Sequence, residues 1–488
     1  MKSDDLANLP LTQLAGMVRQ GKVASRELVE LYLERIKKYD GRNGINAYIT
    51  VMGDAARIEA DALDKLARAR RFKGPLHGMP IAVKDNLDTQ GVRTTGGTKI
   101  LNDWRPQQDA HVVRKLKEAG AVIIGKTNLH ELAFGVTTNN PHYGPTRNPY
   151  DTSRIPGGSS GGSAAACAAG FCAAALGSDT GGSVRIPAAL CGLVGLKPSF
   201  GRVGRGGLIC LSFSRDVIGP ITRTVGDAAL MLEAISGYDP HDPESSRRRA
   251  VPYVLRLKRN LKGKRFGIPV NLFFDVIHSD TERVFAEAVR ELEKLGGTMK
   301  EVRVKHTDLL PTQFSLVLAE AIFLAEEYLT RFDPGATIDA YLDQLGPDVR
   351  AVFGAQKGLP HSRPVPGYVY VKHMRESRTK IASGFAEAMK GLDALIMPTT
   401  VMPAAKIGED DQVDLEGRML PTMTTFTRNA NPFNIVKYPA ITVPAGHSRT
   451  GLPIGLQIVT RPWEDAALLD IAHEFEQATQ HRRPPKLS

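Results

Sequence analysis

The stretch that decides the fold reads Ile-Pro-Gly-Gly-Ser-Ser-Gly-Gly-Ser at 155–163 and Gly-Ser-Asp-Thr-Gly-Gly-Ser-Val-Arg-Ile-Pro at 177–187. The residues between these two runs are small or apolar, and Asp179 is the one acidic residue in the whole stretch. Clustered glycines indicate unusual backbone conformations or close backbone approach. Serine hydroxyls among tightly packed small residues need a hydrogen-bonding partner or a chemical role. We therefore predict two buried loops that hold Ser159 and Ser183 for nucleophilic chemistry.

The composition is typical of a soluble globular protein. Of the 488 residues, 42% are apolar and 24% are charged. The chain contains no apolar run of about 18 residues, and its first residues lack the apolar core of a signal peptide. The four cysteines, at 167, 172, 191 and 210, have spacings typical of buried reduced thiols rather than of a disulfide framework or a zinc site. We expect a cytoplasmic protein with no membrane association.

The net charge of +11 raises the question of an anionic partner. The basic residues are dispersed along the chain, in short clusters such as 247–249, and they do not alternate with aromatic residues as in a nucleic-acid platform. We interpret the charge as a solvated surface and expect no nucleic-acid binding.

The pattern of apolar runs predicts an α/β fold in one large domain. Segment 1–72 is interpreted as helical and packed on the core, and segment 73–237 as the core itself. Segment 238–428 is interpreted as a mostly helical region that covers the substrate, and segment 429–488 as strands and a helix that complete the core. Within the core, a short apolar strand ends on Lys84.

Two common motifs fit the first glycine cluster poorly. Residues 157–161 satisfy G-x-S-x-G, the nucleophile elbow of α/β-hydrolases, but Pro156 precedes them and His447 is the best of a poor set of downstream histidines. A phosphate-binding loop would end in Gly-Lys-Ser/Thr, which is absent. Either cluster alone would be a tight turn more often than a site, but their pairing with Lys84 favours a site.

Together these runs resemble the signature of the amidase signature family. The resemblance includes the two glycine clusters, Gly-Met-Pro-Ile-Ala-Val-Lys-Asp at 78–85, Cys-Gly-Leu-Val-Gly-Leu-Lys-Pro at 191–198 and Gly-Leu-Pro-Ile-Gly-Leu-Gln at 451–457. It implies a mixed, twisted central β-sheet covered by helices on both faces, in a hydrolase that acts on linear amide C–N bonds.

The resemblance also implies a Ser–cis-Ser–Lys triad. Ser183 matches the nucleophile, Ser159 the bridging serine on a cis peptide, and Lys84 the base. The chemistry of these residue types agrees, because a serine hydroxyl needs a base to take its proton. Lysine is such a base only as a neutral amine, and a nearly uncharged, buried setting lowers its pKa.

The loop before Ser183 has the features of an oxyanion hole. Glycines let the backbone approach a substrate, and backbone N–H groups stabilise the charge of a tetrahedral intermediate. The predicted donors are the N–H groups of Thr180, Gly181, Gly182 and Ser183. Asp179 and Arg185 flank the nucleophile, and we interpret them as a buried pair that orients the loop.

The residues of the predicted substrate pocket are apolar. The loop 129–140 resembles that of indoleacetamide and mandelamide hydrolases, which places Phe134 and Val136 in the acyl pocket and Ile186 near the scissile carbonyl. Plain core packing of Phe134 remains an open alternative. We favour a stand-alone amidase for small aryl or aliphatic amides, with esters, anilides or carbamates as further substrates. Its only predicted partner is the amide, with no metal or organic cofactor; a homodimer is left open.

The alternative is the glutamine-hydrolysing A subunit of a tRNA-dependent amidotransferase. The triad is shared, so it does not decide between the two. Such subunits typically carry Gln where this chain has Ile186, Asp where it has His130, and Ser-Thr-Glu-Asn where it has Thr-Thr-Asn-Asn at 137–140. These differences led us to prefer the stand-alone hydrolase. A third alternative, a catalytically inactive binding protein, does not explain a complete triad.

Overall fold

An eleven-stranded β-sheet forms the centre of the computed structural model, which describes residues 3–249, 251–257, 261–356 and 365–487. The strands of the described residues are β1 Tyr48–Val51, β2 Pro80–Lys84, β3 Val122–Thr127, β4 Asn139–Asn140, β5 Gly144–Pro145, β6 Ala174–Asp179, β7 Val194–Lys197, β8 Val217–Thr222, β9 Arg265–Pro269, β10 Thr298–Val302, β11 Ala394–Pro398, β12 Gln412–Leu415, β13 Arg418–Pro421, β14 Ala440–His447 and β15 Pro453–Val459. The order in the large sheet is β1-β3-β2-β6-β8-β7-β14-β15-β11-β9-β10, while β4 pairs with β5 and β12 with β13.

Helices pack against the sheet. The α-helices are α1 Ser3–Ala7, α2 Leu11–Arg19, α3 Ser25–Tyr39, α4 Gly53–Arg68, α5 His111–Glu118, α6 Gly161–Ala168, α7 Arg185–Leu190, α8 Val225–Ile235, α9 Tyr253–Arg256, α10 Ser279–Lys294, α11 Leu310–Leu329, α12 Pro347–Gln356, α13 Gly367–Lys372, α14 Arg378–Ala388, α15 Thr422–Thr427, α16 Pro432–Ile435 and α17 Asp465–Thr479. Shorter helical turns are Glu131–Ala133, Thr307–Leu309, Ile338–Gln344 and His373–Ser377. No helix among the described ranges is long and apolar enough to span a membrane.

The central strands are apolar because both of their faces are covered. Every residue of β2, β3 and β6 is buried, and β2 runs parallel to both β3 and β6. Parallel strands of this kind typically lie between helical layers. The predicted α/β fold with one large domain, a mixed central sheet and helical cover is confirmed.

Strands also come from segments that were interpreted as helical. The segment 238–428 supplies β9, β10 and β11 at one side of the sheet, and the segment 1–72 supplies β1 at the other edge. Strand β11 pairs with β15 from the C-terminal segment. All four predicted segments therefore contribute strands to the eleven-stranded sheet.

The fold brings the signature segments to one place. Strands β2 and β6 are parallel neighbours, with Ile81 opposite Ala174 and Val83 opposite Leu176. Because the carboxyl ends of parallel neighbours meet at the same edge, Lys84 at the end of β2 lies beside the end of β6. Helix α6 packs on these strands through small residues: a Cβ on Gly162 would lie 2.3 Å from the Asn128 carbonyl oxygen.

Candidate active site

Lys84 and Ser159 form the centre of the candidate active site. Lys84 Nζ lies 2.7 Å from Ser159 Oγ and donates a hydrogen bond to Ser178 Oγ at 2.9 Å. Asn86 donates a second hydrogen bond to Ser178 Oγ, at 3.0 Å. The peptide bond between Gly158 and Ser159 is cis. With one N–H donated to Ser178, a neutral amine at Lys84 still has a lone pair to accept the Ser159 proton.

Burial disfavours the charged form of Lys84. Its side chain is fully buried, and this desolvation lowers its pKa to about 7, against the opposing effect of the Asp216 and Asp179 charges. Burial likewise lowers the pKa of Lys197 to about 7, but Lys197 Nζ donates to the Tyr438 carbonyl oxygen at 2.7 Å. Two buried lysines therefore share a lowered pKa, and Lys84 is the one of the two that is hydrogen-bonded to Ser159.

The loop that carries Ser183 is held by the buried pair of Asp179 and Arg185. Arg185 Nη2 donates to Asp179 Oδ1 at 2.9 Å, and both side chains are fully buried. Burial by itself would raise the pKa of Asp179, but the charge and hydrogen bonds of Arg185 outweigh it and hold that pKa below its usual value. Arg185 also donates to Asn434 Oδ1 and Gln457 Oε1, both at 2.7 Å.

One predicted oxyanion donor is occupied by this pair. The Gly182 N–H donates to Asp179 Oδ1 at 2.8 Å, which corrects its placement in the oxyanion hole. Gly182 instead shapes the turn, with a φ of +123° and no room for a Cβ, which would lie 2.6 Å from both Ala430 and Ile186. The N–H groups of Thr180, Gly181 and Ser183 remain as candidate donors.

A largely apolar pocket lies beside Ser183. Its walls are Ala133, Phe134, Gly135, Val136, Thr180, Gly181, Ser183, Leu211, Arg215, Val317, Met423, Thr427 and Asn431. Phe134 and Val136 lie where the sequence places them. Ile186 does not line this pocket: it is fully buried in an apolar cluster with Val136 and Phe426.

The sequence does not predict the polar pocket residues Arg215 and Asn431. Arg215 and Asn431 come from segments far from the signature loops, and no motif marks them as pocket residues. The two supports of Arg185, Asn434 and Gln457, also come from the C-terminal part of the chain. Gln457 alone had a signal, since it closes the Gly-Leu-Pro-Ile-Gly-Leu-Gln run.

The loop that carries Phe134 is held in place by α12 and by Gly346, the residue before this helix. His130 Nε2 lies 2.7 Å from Asp348 Oδ2, and the Gly346 N–H donates to Glu131 Oε2 at 2.7 Å. The Phe134 ring meets the Phe353 ring edge-on, with centroids 6.2 Å apart. Phe134 thus both lines the pocket and packs in a core, so the two interpretations of this residue are compatible.

Metal ligation has no evident place in the site. Across the described part of the chain, no group of three His, Cys, Asp or Glu side chains is arranged to hold a metal ion. The four cysteines are free thiols, three of them buried and Cys210 half-buried.

A buried lysine is hydrogen-bonded to a serine here, next to a glycine turn and a pocket. The chain belongs to the amidase family: the family model described as Amidase matches residues 27–469. It is an enzyme that acts on amide C–N bonds, and its fold is that of the amidase signature enzymes.

Relatives and solved structures agree on the family and differ in activity. The chain is 41% identical to the A subunit of the glutamyl-tRNA(Gln) amidotransferase of Moorella thermoacetica over 499 residues, covering 99% of each chain. It is 39% identical to the same subunit of Carboxydothermus hydrogenoformans, covering 99% of this chain and 100% of the relative. It also resembles the peptide amidase of Stenotrophomonas maltophilia, with 31% identity, a TM-score of 0.86 and 98% of each chain covered.

These relatives overturn the preference for a stand-alone amidase of small aryl or aliphatic amides. Eight full-length relatives with 36–41% identity carry the name of the amidotransferase subunit. The same subunit of Thermotoga maritima matches in structure, with 33% identity, a TM-score of 0.78, and 99% of this chain and 98% of that chain covered. The sequence argument against the amidotransferase relied on Ile186, His130 and residues 137–140, and none of these residues is among those that line the pocket.

Proposed function

We propose that the chain hydrolyses the side-chain amide of glutamine and supplies the ammonia to a partner that amidates glutamyl-tRNA(Gln). The observation that supports this function most is the full-length similarity to subunits of that name, combined with the hydrogen-bonded Lys84 and Ser159 beside the Ser183 pocket. The family similarity supports amide cleavage, and the names of the relatives support a subunit of an amidotransferase; glutamine as the amide donor is part of our proposal.

The proposed reaction begins with attack by Ser183 Oγ on the glutamine amide carbon. The Ser183 proton passes to Ser159 Oγ, and the Ser159 proton passes to the neutral Lys84 amine. The negative charge on the carbonyl oxygen is stabilised by the backbone N–H groups of Thr180, Gly181 and Ser183. The bond between carbon and nitrogen then breaks, and the proton returns through Ser159 to the departing nitrogen, so that ammonia leaves.

The second half of the reaction restores the enzyme. Water attacks the glutamyl ester on Ser183, and Lys84 with Ser159 takes the water proton. The ester bond breaks, the proton goes to Ser183 Oγ, and glutamate leaves. This exchange balances without a metal ion, oxidant or reductant.

The replacements that argued against glutamine are compatible with this function because His130, residues 137–140 and Ile186 are not among the residues that line the pocket. The loop position that holds Asp in such subunits holds His130 here, and His130 is bonded to Asp348 of α12. Thr137 and Asn139 donate to the two carboxylate oxygens of Asp410 at 2.7 and 2.6 Å.

The function implies a protein partner in addition to a small amide. The relatives are named as subunits, which supports an assembly in which another chain uses the ammonia. Nucleic-acid contact would then belong to the partner, and the expectation that this chain binds none stays a prediction, as do a homodimer and a cytoplasmic location.

Transfer of labelled nitrogen tests the proposed function. The chain is combined with the remaining subunits of its amidotransferase, glutamyl-tRNA(Gln), ATP and glutamine labelled with ¹⁵N in the side-chain amide. We expect ¹⁵N in the glutaminyl group released from the tRNA, and none with the Ser183→Ala variant. Absence of label with the wild-type chain, while free ammonium supports amidation in the same mixture, would refute glutamine as the donor.

A further inference from the structure

Arg215 is a buried cation in the wall of the substrate pocket. Only 2% of the residue is exposed, and it is the one charged side chain among the residues that line the Ser183 pocket. Its Nη2 donates to the backbone carbonyl oxygen of Gln313, and its Nη1 lies 3.4 Å from Asn431 Oδ1. Among the described residues, no carboxylate lies within ion-pair distance of Arg215.

Buried arginines elsewhere in the fold have acidic partners or a clear structural use. Arg185 pairs with Asp179 and Arg205 with Asp242, at 2.9 and 2.7 Å. Arg223 donates to the carbonyl oxygens of Ala173 and Cys172 in the core, away from the pocket. A buried charge is costly unless it is paired, so a guanidinium in the wall of the Ser183 pocket without a carboxylate calls for a partner.

The nearby acids are engaged by other donors. Glu320 accepts from Ser212, and from Tyr370 at 2.8 Å. Asp216 accepts from Thr180 Oγ1 at 2.6 Å and from the Leu211 N–H at 2.7 Å. Neither acid is bonded to the guanidinium, although both charges act on it at longer range.

Asn431 connects Arg215 to the catalytic turn. A Cβ placed on Gly181 would lie 3.3 Å from Asn431 Oδ1, the same atom that faces Arg215 Nη1. One side chain therefore separates the guanidinium from the turn that would hold the scissile carbonyl. Arg215, Asn431 and Ser183 therefore line the same pocket.

We propose that Arg215 binds the carboxylate of the substrate and makes the enzyme selective for amides that carry a negative charge at the far end. The guanidinium suits this role because its N–H groups form paired hydrogen bonds to a carboxylate. The substrate class is the amides of amino acids and of dicarboxylic acids, of which glutamine is one. The inference rests on the proposed function only where it includes glutamine among these substrates.

A matched set of amides tests the role of Arg215. L-glutamine and succinamate carry a carboxylate, and butyramide replaces the carboxylate of succinamate with a methyl group. We expect the Arg215→Met variant to lose about 10- to 100-fold in kcat/KM for succinamate and glutamine, since hydrogen bonds to charged groups are of that strength. Its kcat/KM for butyramide should stay within about threefold of the wild type.

Two further variants of the chain complete the experiment. Arg331→Met is the control, because Arg331 lines a separate cavity with Asp88 and should leave all three rates unchanged. Ser183→Ala keeps Arg215 in a folded chain and allows binding to be measured by calorimetry even if Arg215→Met does not fold. We expect Ser183→Ala to bind succinamate saturably and butyramide at least tenfold more weakly, in line with the strength of hydrogen bonds to charged groups.

The outcomes separate this inference from the proposed function. Selective loss of succinamate hydrolysis in Arg215→Met supports the role of Arg215, whatever the result with glutamine. If the wild type leaves glutamine intact, with or without its partner, glutamine is refuted as the substrate and the role of Arg215 still stands. An equal loss for succinamate and butyramide, or equal binding of both by Ser183→Ala, would overturn the role of Arg215.

Discussion

Lys84 makes the pH dependence of the reaction predictable. Burial lowers its pKa to about 7, and only the neutral amine can take the Ser159 proton. As the pH falls below 7, Lys84 becomes protonated and kcat/KM should fall about tenfold per pH unit. Initial rates of ammonia release between pH 5 and 9 measure this. A flat profile down to pH 5 would exclude Lys84 as the base.

The matched control for this profile is Lys197→Met. Lys197 is also fully buried with a pKa of about 7, but its Nζ bonds a backbone carbonyl oxygen instead of a serine. The folded Lys197→Met variant should keep the acid limb of the wild type. If the limb disappeared in Lys197→Met, the titration would belong to Lys197.

The residue scale also shows where sequence reasoning stops. Ser159 and Lys84 were predicted to meet, and they do, because both motifs carry fixed spacing and a distinctive residue type. The hydrogen bond from Lys84 to Ser178 was missed although Ser178 stands in the quoted motif. Arg215 had no local signal at all, since its role depends on which distant segments surround it.

At the scale of the element, the turn before Ser183 depends on Gly182. Its φ is +123°, and an added Cβ would lie 2.6 Å from Ala430 and Ile186. We expect Gly182→Ala to lower kcat/KM at least 100-fold and the free energy of unfolding by about 1–3 kcal/mol, through backbone strain and overpacking. Denaturant unfolding and initial rates measure the two effects.

Gly91→Ala separates strain from the role of the turn. Gly91 also has a positive φ, +71°, but nothing lies within 4 Å of its added Cβ. This variant should lose about 1 kcal/mol of stability and keep wild-type activity. Wild-type activity in Gly182→Ala would show that the turn tolerates a side chain and that our description of it is wrong.

The loop of the pocket depends on α12 in a similar way. Leu132 and Ala133 have positive φ angles of 49° and 61°, an uncommon conformation for such residues that needs support from the surroundings. Asp348 gives that support through His130. We expect Asp348→Ala to raise the KM for glutamine about threefold to tenfold with little change in kcat. The control is Asp343→Ala, which removes an exposed carboxylate nearby and should change neither KM nor kcat. An unchanged KM in Asp348→Ala would show that the loop holds its shape alone.

Elements were predicted best where their pattern was strong. Strand β2 was expected from an apolar run that ends on Lys84, and every residue of it is buried. Strands β9 and β10 were not expected: β9 contains Gly267 and Pro269, and most of the side chains of β10 are partly or fully exposed at the sheet edge. Short edge strands lack the continuous apolar pattern of a buried strand, so propensity alone does not reveal them.

At the scale of the whole molecule, one sheet connects all four predicted segments, so they should unfold together. The two tryptophans report on different parts: Trp104 donates to Tyr328 Oη at 3.0 Å, and Trp463 stacks under Arg248 at 4.5 Å. We expect Trp104→Phe and Trp463→Phe to show the same denaturant midpoint by fluorescence and by far-ultraviolet circular dichroism. Two separate midpoints would indicate independent units within the chain.

The whole molecule also explains why the choice between the two amidase functions went wrong. The comparison at Ile186, His130 and 137–140 considered only loops near the signature, whereas the pocket is closed by residues from Leu211 to Asn431. The signature motifs identify the chemistry because they build the reacting groups. They do not identify the substrate, because the substrate is recognised by segments that come together only in the folded chain.

The assignment of Ser183 as nucleophile and Ser159 as proton carrier is tested most directly by locating the acyl group. The wild-type chain is mixed with glutamine, quenched with acid during turnover, digested and analysed by mass spectrometry. We predict a glutamyl ester on Ser183 in the wild type, and neither ester nor ammonia release in Ser183→Ala. A glutamyl ester on Ser159, or ammonia release by Ser183→Ala at the wild-type rate, would contradict the assignment.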